Sequence, residues 1–276
     1  MTREDAVGVT LAAERKLRGR SRVRTALEQR WITQFVQLAA GGDSTQHFAN
    51  RSLNLFVERD RRDNPFDPVR GSLGTLLGQV TGGALGGTSS FLKMSRSGSW
   101  YRPLAGVVVA ARLRGGWIHP FGTRPAGKRA VDLVPREERF RAGGATTVRG
   151  YPEDSLGPQV VAAGQREPAT QRGLVTVVTN LELRFPIVWR FSGALFLDGG
   201  NVWEEARDVS LRNFVPDRED AAIEDMRYAT GGGLRLGTPV GPLRLDYGYS
   251  LTRGLPEREV EALRGGEWHL SLGQAF

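Results

Sequence analysis

The sequence predicts an all-β protein, an antiparallel transmembrane β-barrel of about eleven strands, from three observations. First, apolar and polar residues alternate with period two in strand-length segments along most of the chain. Second, the polar faces carry charge in mid-strand, at Arg112, Arg114, Glu182, Arg184 and Asp198, as a water-filled lumen allows. Third, Trp100, Tyr101, Trp117, Trp189 and Trp203 fall near strand ends, where an interfacial aromatic girdle is expected. A soluble antiparallel sheet with one wet face would also alternate. The charges, the aromatics and an amphipathic last strand ending on Phe276 favour the barrel.

Composition fits this choice. With 39% hydrophobic residues and a mean hydropathy of −0.33, no run approaches the roughly 18 to 20 apolar residues of a membrane-spanning helix. A barrel strand needs only about 10 residues and shows lipid one face, so low mean hydropathy leaves it open. The 36 glycines exceed the usual share of about 7% and occur within apolar stretches as well as at turns. There is no cysteine, hence no disulfide framework and no thiolate zinc site. The net charge of +8 is spread along the chain instead of forming a block, which reads as a polar wall and not as a nucleic-acid groove. The first residues contain no apolar signal core, so the expectation is a mature or truncated piece, or else a cytosolic protein.

In chain order, residues 7–17 and 22–32 form a hairpin about Arg18-Gly19-Arg20-Ser21. A loop at residues 41–44 precedes a strand with Leu53, Leu55 and Val57 on one face and Asn54, Phe56 and Glu58 on the other. Residues 60–71, with two prolines and a final glycine, are a fixed turn. Strands follow at residues 72–81, 91–101 and 106–119. A long connection, about residues 120–173, is rich in proline and glycine; in ordered proteins such a length is usually functional or disordered. Alternation then returns more strictly. Thr179, Leu181, Leu183 and Phe185 oppose Asn180, Glu182 and Arg184; Phe191, Gly193, Leu195 and Leu197 oppose Ser192, Ala194, Phe196 and Asp198. Leu243, Leu245, Tyr247 and Tyr249 oppose Arg244, Asp246, Gly248 and Ser250; Trp268, Leu270, Leu272 and Phe276 oppose Glu267, His269 and Ser271.

Within the long connection, Val148, Arg149, Gly150 and Tyr151 place an arginine beside a glycine, where it is either solvated or held by partners. This stretch, extended back through Glu138-Arg139-Phe140-Arg141-Ala142-Gly143-Gly144, resembles a motif of the bacterial surface antigen superfamily, the BamA/TamA-like outer-membrane assembly and translocation barrels. The turn Arg62-Asp63-Asn64-Pro65-Phe66-Asp67-Pro68-Val69-Arg70-Gly71, the segment Leu197-Asp198-Gly199-Gly200-Asn201-Val202-Trp203 and the ending Ser271-Leu272-Gly273-Gln274-Ala275-Phe276 resemble other motifs of the family, in the family's order.

The resemblance implies a C-terminal barrel portion spanning residues 1–276, with the long loop folded into the lumen and Arg149 meeting Glu182 and Asp198. It implies that Trp268, Leu270, Leu272 and Phe276 are the C-terminal strand signal read during assembly. Since family barrels have about sixteen strands, an even number as is usual, it also implies an incomplete barrel lacking its first strands. The implied partners are outer-membrane lipid, client β-barrel or secreted proteins, periplasmic POTRA domains, or a chain that supplies the missing strands; nucleic acid is not among them. The implied function is outer-membrane protein insertion or translocation, without catalytic residue, cofactor or metal. The alternatives are a two-partner secretion pore that exports a soluble partner and a non-functional truncated barrel.

Enzyme signatures are lacking. His47, His119 and His269 have no metal spacing, and there is no Gly-x-Ser-x-Gly elbow. Gly231-Gly232-Gly233 lies in a strand-like stretch and does not precede a helix. The acidic cluster Asp217, Glu219, Asp220, Glu224 and Asp225 reads as an exposed loop, with calcium binding as the lesser alternative.

Overall fold

Period-two patterning resolves into long antiparallel strands in a computed structural model that describes residues 2–37, 43–123, 125–160, 169–215, 222–239, 241–251 and 266–276. The strands are β1 (Thr2–Leu17), β2 (Ser21–Gln37), β3 (Asp43–Asp60), β4 (Gly71–Thr81), β5 (Phe91–Leu104) and β6 (Val107–Pro120). After two short strands, β7 (Gln159–Val160) and β8 (Ala169–Thr170), come β9 (Val175–Val188), β10 (Phe191–Trp203), β11 (Arg227–Leu236), β12 (Leu243–Ser250) and β13 (Gly266–Leu272). All but β7 and β8 join one 11-stranded sheet in chain order, with β6 pairing directly with β9; β7 and β8 pair only with each other. Among the described residues helix is limited to short 3₁₀ turns. Among the described residues the sheet is not closed: β1 pairs only with β2, and β13 only with β12.

Connections differ on the two sides. Residues 18–20, 105–106 and 189–190 make tight turns on one side, whereas residues 121–174 and 204–226 make the longest connections on the other. The sheet curls around the first of these. Its outward residues are apolar and exposed: Val7, Val9 and Leu11 on β1, Leu181 and Leu183 on β9, Trp268, Leu270 and Leu272 on β13. Its inward residues are polar and largely buried, as for Asn180, Glu182 and Arg184 on β9. β1 departs from the pattern, since residues 5–17 are exposed on both faces. With one neighbouring strand and nothing packed beneath it among the described residues, neither face is covered.

The fixed turn at residues 61–70 has an identifiable cap. Asp63 Oδ1 accepts hydrogen bonds from the backbone N–H groups of Asn64, Val69 and Arg70, at 2.9, 3.0 and 3.2 Å. Burial alone would raise the Asp63 carboxyl, but the three N–H groups outweigh it and hold it below the usual carboxylate range. A depressed folded-state value stabilises the turn above the unfolded value of about 3.9, and the contribution is lost as pH falls through the lower, folded one. In an NMR titration the Asn64, Val69 and Arg70 amide protons should therefore shift together, with a common midpoint below about 3.9. Asp63→Asn should abolish that midpoint; independent movement of the three amides would contradict the cap.

Three aromatic positions differ from the sequence expectation. Tyr101 belongs to the inner face and is 3% exposed, because it is adjacent to outward-facing Trp100 and strand neighbours point to opposite sides. Trp203 is buried beneath the 204–226 connection, where its ring lies 6.1 Å from that of Phe214 and its Nε1–H donates to the Glu224 carbonyl. Only Trp100, Trp117 and Trp189 remain exposed as girdle residues. Phe276 leaves the outward stripe of Trp268, Leu270 and Leu272. The strand ends at Leu272, Gly273 takes φ +90°, and the chain turns inward. Phe276 stacks on Tyr101 at 6.3 Å, and Gln274 donates to Asp67 of the fixed turn.

Candidate functional site

The long connection is the filling of the curled sheet. Bridges pair Phe140 with Gly173 and Ala142 with Leu156, drawing the segment into a compact body. Its Ala142, Val148, Tyr151 and Leu156 pack with Val178 of β9, Val202 of β10 and Ala229 of β11 in one buried cluster. The Tyr151 hydroxyl donates to the Tyr228 carbonyl and accepts from the Ser250 hydroxyl. Val148, Arg149 and Tyr151 are each at most 1% exposed.

Gly150 is required by its backbone. It sits at φ +90°, a region that L-residues with side chains rarely adopt, and its N–H donates to His269 Nε2 on β13 at 3.2 Å. The opposing residue on β12 is also glycine. A Cβ on Gly248 would clash with the Gly150 nitrogen and lie 2.7 Å from the Arg149 carbonyl carbon. The loop backbone therefore rests directly on the β12 backbone.

From this bend Arg149 projects into three carboxylates. Its Nε and Nη2 form a two-pronged contact with Asp198, at 2.7 and 2.9 Å, and its backbone N–H donates to the same residue at 3.1 Å. Its Nη1 reaches Glu182 at 2.8 Å and Asp246 at 3.2 Å. The guanidinium carbon lies over the Phe196 ring, 3.5 Å from its centroid. A planar fork with five N–H donors suits this geometry, which the single ammonium of a lysine could not satisfy.

The structure brings Arg149 together with both residues paired with it from sequence, Glu182 and Asp198, and adds others. Asp246 supplies the third carboxylate. Arg184 Nε donates to Glu182 at 2.6 Å, Arg235 Nη2 lies 3.0 Å from Glu182, and Arg244 Nη1 lies 3.4 Å from Asp246. Asn180 donates to Asp198 and to the Thr147 carbonyl, tying wall and loop together. Four arginines thus surround three carboxylates, on β9, β10, β11, β12 and the loop. The alternation that turns Glu182 and Asp198 inward turns Asp246 and Arg244 inward as well; that was the available signal. The same alternation puts Phe196 on the inner face with Asp198, but its contact with the guanidinium had no sequence signal.

The remaining candidates stay apart. His47 contacts Thr33, His119 stacks on Trp117, and His269 receives the Gly150 N–H, so the three histidines share no site. Asp217, Glu219 and Asp220 lie outside the described residues. Asp225 is buried and closes its own loop by accepting from the Ala222 N–H and from Asn213. The Gly231-Gly232-Gly233 run lies within β11, where side chains at Gly231 and Gly233 would collide with Tyr247 and Asp246 of β12.

Comparison with known proteins gives this arrangement a context. The Omp85 superfamily domain matches residues 2–276. The chain is 28% identical over 219 residues to the outer membrane protein assembly factor BamA of Nitratidesulfovibrio vulgaris, covering 79% of this chain and 24% of that protein. To BamA of Neisseria meningitidis it is 25% identical over 236 residues, covering 79% and 28%. To the mouse sorting and assembly machinery component 50 homolog it is 29% identical over 213 residues, covering 73% and 41%. The chain therefore spans about a quarter of the length of these BamA relatives. The crystal structure of Haemophilus ducreyi BamA lacking POTRA domains 1–3 superposes with a TM-score of 0.73 at 17% identity, over 98% of this chain and 53% of that one. That likeness shows the fold. With a domain match across nearly the whole chain, this antiparallel wall belongs to the Omp85 superfamily, as a BamA/TamA-like barrel portion of the bacterial outer membrane.

Proposed function

We propose that this chain is the barrel portion of a machine that inserts β-barrel clients into the outer membrane, and that it works without covalent catalysis. The observation that carries the reading is the lumen loop locked by Arg149 to carboxylates on three strands inside an outwardly apolar wall. A loop held this way fixes the curvature of β9 to β12 while leaving the edges of the sheet free. Free edges can pair with another extended strand through backbone hydrogen bonds. Since unpaired strand edges are intolerable in hydrocarbon, further strands from the same protein or another chain complete the wall between β1 and β13. In this reading Trp268, Leu270 and Leu272 present the lipid-facing stripe of the last strand, and Phe276 anchors its inward tail.

The runner-up is a secretion pore that exports a soluble partner; an inert truncated barrel is the third reading. Proteoliposomes holding the protein with its full complement of strands separate them. Insertase activity predicts faster appearance of heat-modifiable, protease-protected client barrel than in empty liposomes, with no transfer of a soluble partner into the lumen. Transfer without client insertion would establish the pore, and neither outcome would leave the inert barrel.

A further inference from the structure

The outward wall carries a second feature, separate from the lumen cluster. Across β3, β4, β5 and β6 a single register row holds Arg59, Gly74, Gly98 and Leu113, all on the outer face. A Cβ added at Gly74 would meet nothing within 4 Å, and Trp100 lies over Gly98. The missing side chains leave an outward groove of about 710 Å³, walled by Trp100 and Leu113 and bordered at one end by Phe214. Arg59, Arg61 and Arg96 also border it.

These arginines are unusual for where they stand. Arg96 is outward on β5, between the levels of Trp100 and of Trp117, which lies opposite Met94. A guanidinium between two girdle levels faces lipid, where an unpaired cation is costly. Arg51, outward on the same β3 strand, donates to Gln29 and to the Leu85 carbonyl, and Arg62 is clamped by Asp60. The Arg59, Arg61 and Arg96 side chains have no hydrogen-bond or ion-pair partner among the described residues. Three unpaired cations around an apolar, glycine-floored groove complement a phosphate attached to acyl chains. The phosphate would accept the charge-assisted bonds the wall does not supply, and a chain would lie along the floor.

We propose that this groove is a binding site for a phosphate-bearing anionic lipid, held by Arg59, Arg61 and Arg96 with an acyl chain over Gly74 and beside Trp100. The site depends on the membrane location of the wall and is independent of any insertase activity.

Native mass spectrometry of the detergent-purified protein tests this with phosphatidylglycerol, phosphatidylcholine and inorganic phosphate. Phosphatidylglycerol should bind about ten-fold or more tightly than phosphatidylcholine, and Arg59→Gln with Arg96→Gln should remove the difference. Arg59→Lys with Arg96→Lys should keep most of it. Gly74→Leu, which has room in the fold, should weaken both lipids by filling the floor. Equal retention of the two lipids, unchanged binding in the glutamine variant, or displacement of the lipid by excess inorganic phosphate would overturn the proposal. Far-UV circular dichroism matching the unsubstituted protein establishes that each variant retains its strands.

Discussion

Arg149→Ala is expected to destabilise the seated loop by about 3–5 kcal/mol, because it leaves carboxylates buried without their shared counter-charge. Glu182, Asp198 and Asp246 are each fully buried, and Arg149 contacts all three. Arg184 and Arg235 still neutralise Glu182, and Arg244 is within reach of Asp246, but Asp198 keeps only neutral donors, the Asn180 amide and the backbone N–H of residue 149, and no cation among the described residues. The uncompensated charge therefore falls mainly on Asp198. The loop should become cleavable by proteinase K between residues 143 and 156, where the unsubstituted protein resists. Asp198→Asn should relieve part of the defect when combined with Arg149→Ala, since it removes the orphaned charge. Exchanging the pair, Arg149→Asp with Asp198→Arg, should be worse than Arg149→Ala, because the new carboxylate would face Glu182 and Asp246. Protease resistance of Arg149→Ala equal to that of the parent would remove the case for the arginine as the loop's anchor.

Gly248→Val acts on the same contact from the wall side. The added Cβ would clash with the Gly150 nitrogen and Cα and the Arg149 carbonyl carbon, and the loop backbone cannot retreat without withdrawing Arg149. Valine is otherwise well suited to a strand, so the pairing of β12 with β11 and β13 should persist. Overpacking commonly costs about 1–3 kcal/mol. Here it should appear as a loop released from an intact sheet, with unchanged far-UV circular dichroism and cleavage by proteinase K. Gly232→Ala is the internal comparison. It lies on the outer face of β11 with its nearest neighbour 3.4 Å away, and should leave the loop protected. If Gly248→Val were also protected, the backbone contact would not be what seats the loop.

Much of this site could be read from residue parity. Alternation assigns Glu182, Asp198, Asp246 and Arg244 to one face because strand side chains point alternately to the two sides of a sheet. The same rule separates Tyr101 from Trp100, so Tyr101 could have been placed inside from sequence alone. Parity does not reveal what covers a face. Trp203 points outward yet is roofed by Phe214 and the Glu224 carbonyl, a contact made by a connection with no periodicity of its own. Nor does it survive a break in the strand. Phe276 has the same parity as Trp268, but the turn at Gly273 carries it inside. The glycines of β11 and β12 were legible as strand residues and illegible as spacers, because the backbone, ring and carboxylate they accommodate belong to segments distant in the chain.

The seating of Arg149 also constrains the order in which the protein can fold. Its partners lie as far as 97 residues away, and Arg112, which holds the Ala275 carbonyl, spans 163 residues. Contacts of such sequence separation form slowly, since chain entropy is lost before they are made. Glu182 and Asp246 have arginines of the wall beside them, whereas Asp198 draws its counter-charge from Arg149 of the loop. Curling of β9 through β12 is thus coupled to arrival of the loop, and a wall that rolled up first would shut out its own counter-ion. The buried arginine makes loop entry a step that must precede or accompany completion of the wall, so a chain delayed there would accumulate as a flat, protease-sensitive sheet.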